Sequence, residues 1–420
     1  MARASSPCRA IRKLEKHIEI KLSFALARQH GLEARSTLRL GNLVTAAEIG
    51  DRTVPSLKSV RSVRHVASLD GLRAFAVFAV MYYHARLPFY HFGWIGVDLF
   101  FVLSGFLITT LLAKEHALNG RVSLPKFWGR RFLRLMPAYW LFVGVCTILI
   151  VRGVGTFTPD EGWSKGRYIA SLWGYFTNYA PLELWQYQDI SSPLWSLAIE
   201  EQFYFVWPFV CALALRTRRP WITGWLLLLA TLICRHFAGD DFILHTMLYT
   251  RGLSIIAGCV VALSLRGGPP RWVSQAVNSA VLRWGMIATC ILFFATGTFV
   301  MQRWGIAGME TAHQIFVPLA AVLFPCLVVM LWYGPRDRIS RALSHRQMVY
   351  IGRISYGIYL YHALFKWLIW DKFPHLTGHF GWSIKVGLRT LAYFGGTLTF
   401  ASLSYYAIER PFLKLKERLR

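Results

Sequence analysis

Ionisable side chains set inside apolar runs are the feature that most limits what this chain can become. From about residue 70 to about residue 408 the sequence passes through one apolar stretch after another. Each is long enough to cross the hydrocarbon core of a bilayer, which takes about 17–25 residues as a helix. Several of these runs contain Arg, His, Asp or Glu, which are costly at membrane depth and must face a bundle interior or a cavity. The chain therefore reads as an all-α polytopic membrane helix bundle. Its spans fall at roughly 70–88, 93–113, 136–152, 193–215, 221–237, 246–265, 281–300, 313–333, 349–370 and 384–408, about ten in all. The short aromatic region 166–180 reads as an interfacial or re-entrant helix in a long loop.

Composition agrees. Charged residues make up 16% of the chain and apolar ones 55%, where a soluble domain carries about 25% charged residues. The net charge of +26 would suggest nucleic acid in a soluble protein, but the basic residues gather in short segments between apolar runs. With both termini in the cytoplasm, the inner loops hold Arg130, Arg131, Arg134, Arg216, Arg218, Arg219 and further arginines, and the outer loops hold far fewer. That is the positive-inside pattern, and it excludes a nucleic-acid partner. The seven cysteines show no CxxC pairing, so neither a metal site nor a disulfide frame is expected. Residues 1–66 read as a basic cytoplasmic tail or the product of a mis-assigned start, 67–412 as the membrane domain, and 413–420 as a short basic tail.

The first hairpin carries the best candidates. Arg73 and His84 are eleven residues apart, within about 20° of three full helical turns, and so share one face about 16 Å apart. After the turn around Pro88–Gly93, Asp98 stands at an estimated depth similar to that of His84. A His oriented by a carboxylate can act as a general base. Span four adds Glu200 and Glu201, expected near that same depth and about 100° apart around the helix. Glu200 is the favoured catalytic partner, with Gln202 and Tyr204 as hydrogen-bonding neighbours. Each of these side chains could instead be an interhelical hydrogen-bond partner.

A second group stands just before span three, where Arg130, Arg131 and Arg134 can converge on one face. They are either topology charges or ligands for a phosphorylated donor. Downstream, Tyr356 and Tyr359 share a stripe and Ser355 and His362 another, while Glu409 closes span ten. Glu201, Tyr204, Tyr359 and His362 are the candidates for the wall that binds the acceptor.

The segments LDGLRAFAVFAVMYYH, GWIGVDLFFVLSGFLI, RRFLRLMPAYW, PLWSLAIEEQFYFVWP, ISYGIYLYH and YYAIERP resemble, in order, the motifs of the acyltransferase-3 family of integral membrane proteins. The resemblance implies a ten-helix enzyme of the bacterial inner membrane, passing acetyl or another short acyl group from acyl-CoA to a carbohydrate or glycolipid hydroxyl. The family's helix-one arginine and histidine match Arg73 and His84, and its helix-two acid matches Asp98. Its arginine pair matches Arg131 and Arg134, and its glutamate matches Glu200. In that reading His84 is the base, and Arg73, Arg130, Arg131 and Arg134 hold the CoA phosphates. The few residues after span ten imply a stand-alone version without an appended esterase-like domain. The competing reading is a proton-coupled transporter or flippase of a glycan precursor, because proton relays use the same side chains.

Overall fold

In the computed structural model the described residues are 65–153, 163–180, 190–239, 241–304, 309–372 and 382–416, and they contain no strand. All but the last two residues of the expected tail 1–66 lie outside them, as do residues 417–420 and the loop acids Asp160, Glu161 and Asp240.

Helix α1 is Ala67–His84, and a 3-10 turn at Tyr90–Ile95 leads into α2, Gly96–Asn119. Helix α3, Leu124–Val151, carries Pro125 in its first turn, where the missing N–H costs nothing. Helix α4, Lys165–Trp173, buries Tyr168 and Leu172 and leaves Trp173 exposed. Next come α5 (Leu194–Ala214), α6 (Trp221–Phe237), α7 (Asp241–Thr246), α8 (Leu248–Arg251) and α9 (Leu253–Ser264). Helices α10 (Arg271–Asn278), α11 (Ala280–Trp304), α12 (Met309–Tyr333), α13 (Arg338–Leu343) and α14 (Arg346–Arg353) follow. The last are α15 (Ser355–Lys366), α16 (Trp382–Ser404) and α17 (Arg410–Lys416), with π turns at Trp367–Lys372 and Tyr405–Glu409.

Among the described residues, five helical stretches are long and apolar enough to cross a membrane: 90–119, 124–151, 194–214, 280–304 and 312–333. Shorter apolar helices, among them α6 and α9, complete the bundle. The molecule is an all-α membrane bundle, with helices over each of the expected stretches.

Three expected spans differ in detail. The stretch 246–265 is broken into α8 and α9 at Gly252, where a Cβ would overlap the Leu248 carbonyl. The stretch 349–370 is broken at Ile354, between α14 and α15. Helix α3 starts at Leu124, so Arg130, Arg131 and Arg134 stand inside it instead of before it.

Glycines set the tightest contacts. A Cβ on Gly105 of α2 would overlap the Ile255 carbonyl of α9, and one on Gly258 of α9 would overlap the Val102 carbonyl of α2. On another face of α2, Gly96 lies against the Ala76 carbonyl of α1. Helix α2 is thereby held between α1 and α9, backbone to backbone, as small residues permit in membrane bundles. This sandwich decides where Asp98 points.

Candidate active site

Asp98 follows Gly96 by two residues, about 200° around α2, so it faces away from α1. It precedes Gly105 by seven residues, within about 20° of two full turns, so it shares the face that meets α9. The side chain accordingly meets Arg251 and Ser254. Both terminal nitrogens of Arg251 fork onto the Asp98 carboxylate, one to each oxygen, and Nη2 lies 2.7 Å from Oδ2. The Ser254 hydroxyl donates to Oδ1 at 2.7 Å. Asp98 and Arg251 are both fully buried. The expected His84–Asp98 contact is therefore corrected, since the carboxylate is already engaged across the α2–α9 face.

His84, half-buried at the last residue of α1, meets His362 of α15 with ring centroids 4.8 Å apart. Among the described residues, the charged or titratable groups that act on it are His362, Lys366 and Arg86, none of them a carboxylate. His362 is buried, and its Nδ1 lies 2.6 Å from the Tyr359 carbonyl. A carbonyl only accepts, so Nδ1 carries the proton and, in the neutral ring, Nε2 carries the lone pair. The Tyr359 hydroxyl shares a 2.6 Å hydrogen bond with Ser196 of α5. Ser196 itself donates to the Pro193 carbonyl, so Tyr359 is the donor between them.

Glu200 sits six residues into α5, about 9 Å from its start, whereas Asp98 is two residues into α2. On α2 Glu200 meets Ser104, six residues and about 9 Å along the helix from Asp98, and so it belongs to a different group. Its Oε1 accepts from Ser104 of α2 at 2.6 Å, and the Tyr204 hydroxyl donates to Ser104 at 3.1 Å. Arg73 and Arg131 act on Glu200 electrostatically. The Arg73 guanidinium lies 5.3 Å from the centre of the Phe100 ring, and its Nε donates to Ser355 at 3.3 Å. The Arg131 guanidinium lies 5.3 Å from the Tyr204 ring, with Glu200, Glu201 and Arg134 as charged neighbours. The structure thus joins Arg73, Arg131, Glu200, Glu201 and Tyr204 and separates them from His84.

Arg130 turns to another partner. It pairs with Glu115 at 2.9 Å, and Glu115 also accepts the Ser123 backbone N–H at 2.8 Å, so the pair ties the end of α2 to the start of α3. The expected convergence of Arg130 with Arg134 is corrected by this pairing. A bay of about 730 Å³ opens beside it, lined by Glu115, Arg121, Ser123 and Lys126 among others. Glu409 is buried against Gly357, with Arg134 acting on it. The tyrosine pair separates: Tyr356 donates to the Leu135 carbonyl of α3, while Tyr359 reaches α5.

The family model described as an acyltransferase domain matches residues 66–406. The chain belongs to the acyltransferase-3 family. A Listeria monocytogenes protein named peptidoglycan O-acetyltransferase OatA is 30% identical over 319 residues, covering 70% of this chain and 48% of its own length. A Bacillus subtilis protein named putative peptidoglycan O-acetyltransferase YrhL is 28% identical, covering 82% of this chain and 54% of its own length. A Staphylococcus aureus protein named putative O-acetyltransferase is also 28% identical, covering 82% and 57%. The chain spans about half the length of the curated relatives it matches. No solved structure matches it.

Several polar residues of this acyltransferase-3 chain escaped sequence reasoning. Arg251 had a visible signal, an arginine inside the apolar stretch 246–265. His245 and His313 had none, because each stands alone at a helix end. Ser104 and Ser196 read as small packing residues until Glu200 and Tyr359 meet them.

Proposed function

We propose that this chain is a bacterial inner-membrane O-acyltransferase that moves an acetyl or other short acyl group from acyl-CoA to a hydroxyl of an envelope carbohydrate. The observation that carries the reading is the division of half-buried polar groups along α1. Arg73 lies with Arg131 and the glutamates, and His84 lies about 16 Å further along with His362. The arginines, with Arg134, hold the phosphates of a donor entering from the cytoplasmic side, and the pantetheine arm reaches along α1 toward His84. Arg130 reaches the same donor from the Glu115 side.

In the reaction, His84 takes the proton of the acceptor hydroxyl as its oxygen attacks the thioester carbonyl. The carbon–sulfur bond breaks, CoA leaves as thiolate, and the proton returns to it. His362 takes the orienting role first expected of Asp98, because it is the residue beside His84. Glu200 and Glu201 keep the arginines in place, while Tyr204 and Tyr359 border the passage. The named relatives make a peptidoglycan-type glycan the first acceptor to test.

The test is CoA release and acyl incorporation by purified protein in nanodiscs, supplied with acetyl-CoA and soluble glycan fragments. His84→Ala should lower turnover at least a hundredfold, the range expected on loss of a general base. Full activity in that variant defeats the assignment. Proton-coupled glycan uptake into vesicles without CoA turnover would support the transporter instead.

A further inference from the structure

At the end of the bundle that holds His84, the proposed reaction leaves a group of rings unused. Trp195 of α5, His245 of α7, His313 of α12 and Trp94 of the turn before α2 follow one another ring to ring. The successive centroid separations are 4.3, 4.5 and 4.8 Å. His245 Nδ1 and His313 Nε2 are 3.0 Å apart, so one bridging hydrogen bond joins them. Arg235 braces the arc by donating to the His313 carbonyl at 2.6 Å and the Thr250 carbonyl at 3.1 Å.

Arg251 lies within this arc, its guanidinium 5.8 Å from the Trp94 ring, 5.9 Å from Trp195 and 5.7 Å from Phe101. Its terminal nitrogens are committed to Asp98, but Nε–H has no acceptor among the described residues. The indole Nε1–H of Trp94 is likewise buried without an acceptor. Native structures leave few buried donors unsatisfied, so two on contacting side chains call for an oxygen acceptor. His245 and Trp195 are only half-buried and give the arc an open edge.

The chemistry narrows what such an acceptor can be. Asp98 already balances the charge of Arg251, which favours a neutral group over an anion. An amide carbonyl accepts from N–H donors without bringing an O–H that needs an acceptor of its own. Indole faces suit the C–H face of a pyranose, as aromatic linings with a few placed polar groups do in small-molecule sites. We propose that the Trp94–His313–His245–Trp195 arc, with Arg251, is an acceptor subsite for the N-acyl group and ring face of a neutral acylamino sugar. This deepens the acyl-transfer reading and rests on it.

The test measures binding without any acyl donor. The full chain in nanodiscs is titrated calorimetrically with the N-acetylglucosamine tetramer and with cellotetraose, its neutral counterpart bearing hydroxyls in place of acetamido groups. The N-acetylated tetramer should bind at least tenfold tighter. Trp94→Phe, which keeps a ring and removes the N–H, should weaken that tetramer about tenfold and leave cellotetraose unaffected. Equal affinity of the wild type for the two tetramers, or an equal loss for both in the variant, overturns the subsite. The wild-type comparison stands even where Trp94→Phe fails to fold. A retained preference with no acyl transfer from acetyl-CoA would sink the reaction and keep the subsite.

Discussion

His84 on α1 and His362 on α15 face each other with ring centroids 4.8 Å apart, and the same two helices join Arg73 to Ser355. The two helices therefore run alongside each other, with the Arg73–Ser355 contact at one level and the imidazoles at another. His362→Phe preserves an aromatic ring beside His84 and removes both nitrogens. We expect turnover to fall about ten- to a hundredfold while the affinity for acetyl-CoA stays within twofold, since none of the arginines proposed to hold the donor is touched. Single-turnover kinetics with a CoA-binding titration separates the two. Unchanged turnover would mean that His84 needs no imidazole neighbour.

Asp98 and Arg251 form a different kind of pair. Both are fully buried, and the fork uses both carboxylate oxygens. Removing one partner of such a pair leaves an uncompensated charge and costs about 3–5 kcal/mol. Asp98→Ala and Arg251→Ala should each lower the thermal midpoint of the detergent-solubilised protein sharply. The Asp98→Leu, Arg251→Met double variant should recover most of that loss, because apolar replacement of both partners is close to neutral. An Asp98→Asn protein that melts like the wild type yet has no turnover would return Asp98 to the chemistry.

The α2–α9 contact offers a cleaner structural test. A Cβ on Gly105 would overlap the Ile255 carbonyl, whereas one on Gly144 of α3 meets nothing within 4 Å. Gly105→Ala must push α9 away and with it Arg251, so expression as folded protein should collapse. Gly144→Ala should be neutral or stabilising by about 0.5–1 kcal/mol, the difference between the two residues inside a helix. Size-exclusion profiles and melting curves of the two variants decide the matter. Equal behaviour would mean that the close approach is not required.

The bundle was legible because apolar stretches of span length are hard to read any other way. The pairing of Arg73 and His84 on one face was legible too, since it needs only the helical period. Which neighbour each buried charge meets was not legible from depth alone. Asp98 and His84 were matched by distance from the hairpin turn, yet the 200° between Gly96 and Asp98 sends the carboxylate to α9. Gly96 and Gly105 would have told these faces apart had it been known which helix each one touches. Arg251 was visible as a charge inside an apolar stretch, but its partner was not, because the break at Gly252 that makes the short α8 its carrier is not marked in that stretch. The His245–His313 contact joins residues 68 apart, and no periodicity within either helix announces it.

Outside the spans, Asp337 is the group whose titration should be visible in stability. It caps α13 by accepting the Ser340 backbone N–H at 2.9 Å, and it accepts from Arg283 Nε at 2.7 Å. Arg283 is itself buried and donates to the Met330 carbonyl at 3.0 Å, so the ion pair fastens the turn after α12 to α11. The Arg283 hydrogen bond holds the Asp337 carboxyl down at about 2, below the ordinary aspartate value of 3.8. A depressed carboxylate stabilises the fold above its unfolded value, and that contribution fades as pH falls toward the folded one. The Asp337 share should therefore be complete above about pH 4 and be lost between about pH 4 and 2. Asp337→Asn should melt lower than the wild type at neutral pH, and the gap should close across that window. A gap between the two melting curves that stays constant from pH 5 to 2 would show that Asp337 does not titrate through its pairing with Arg283.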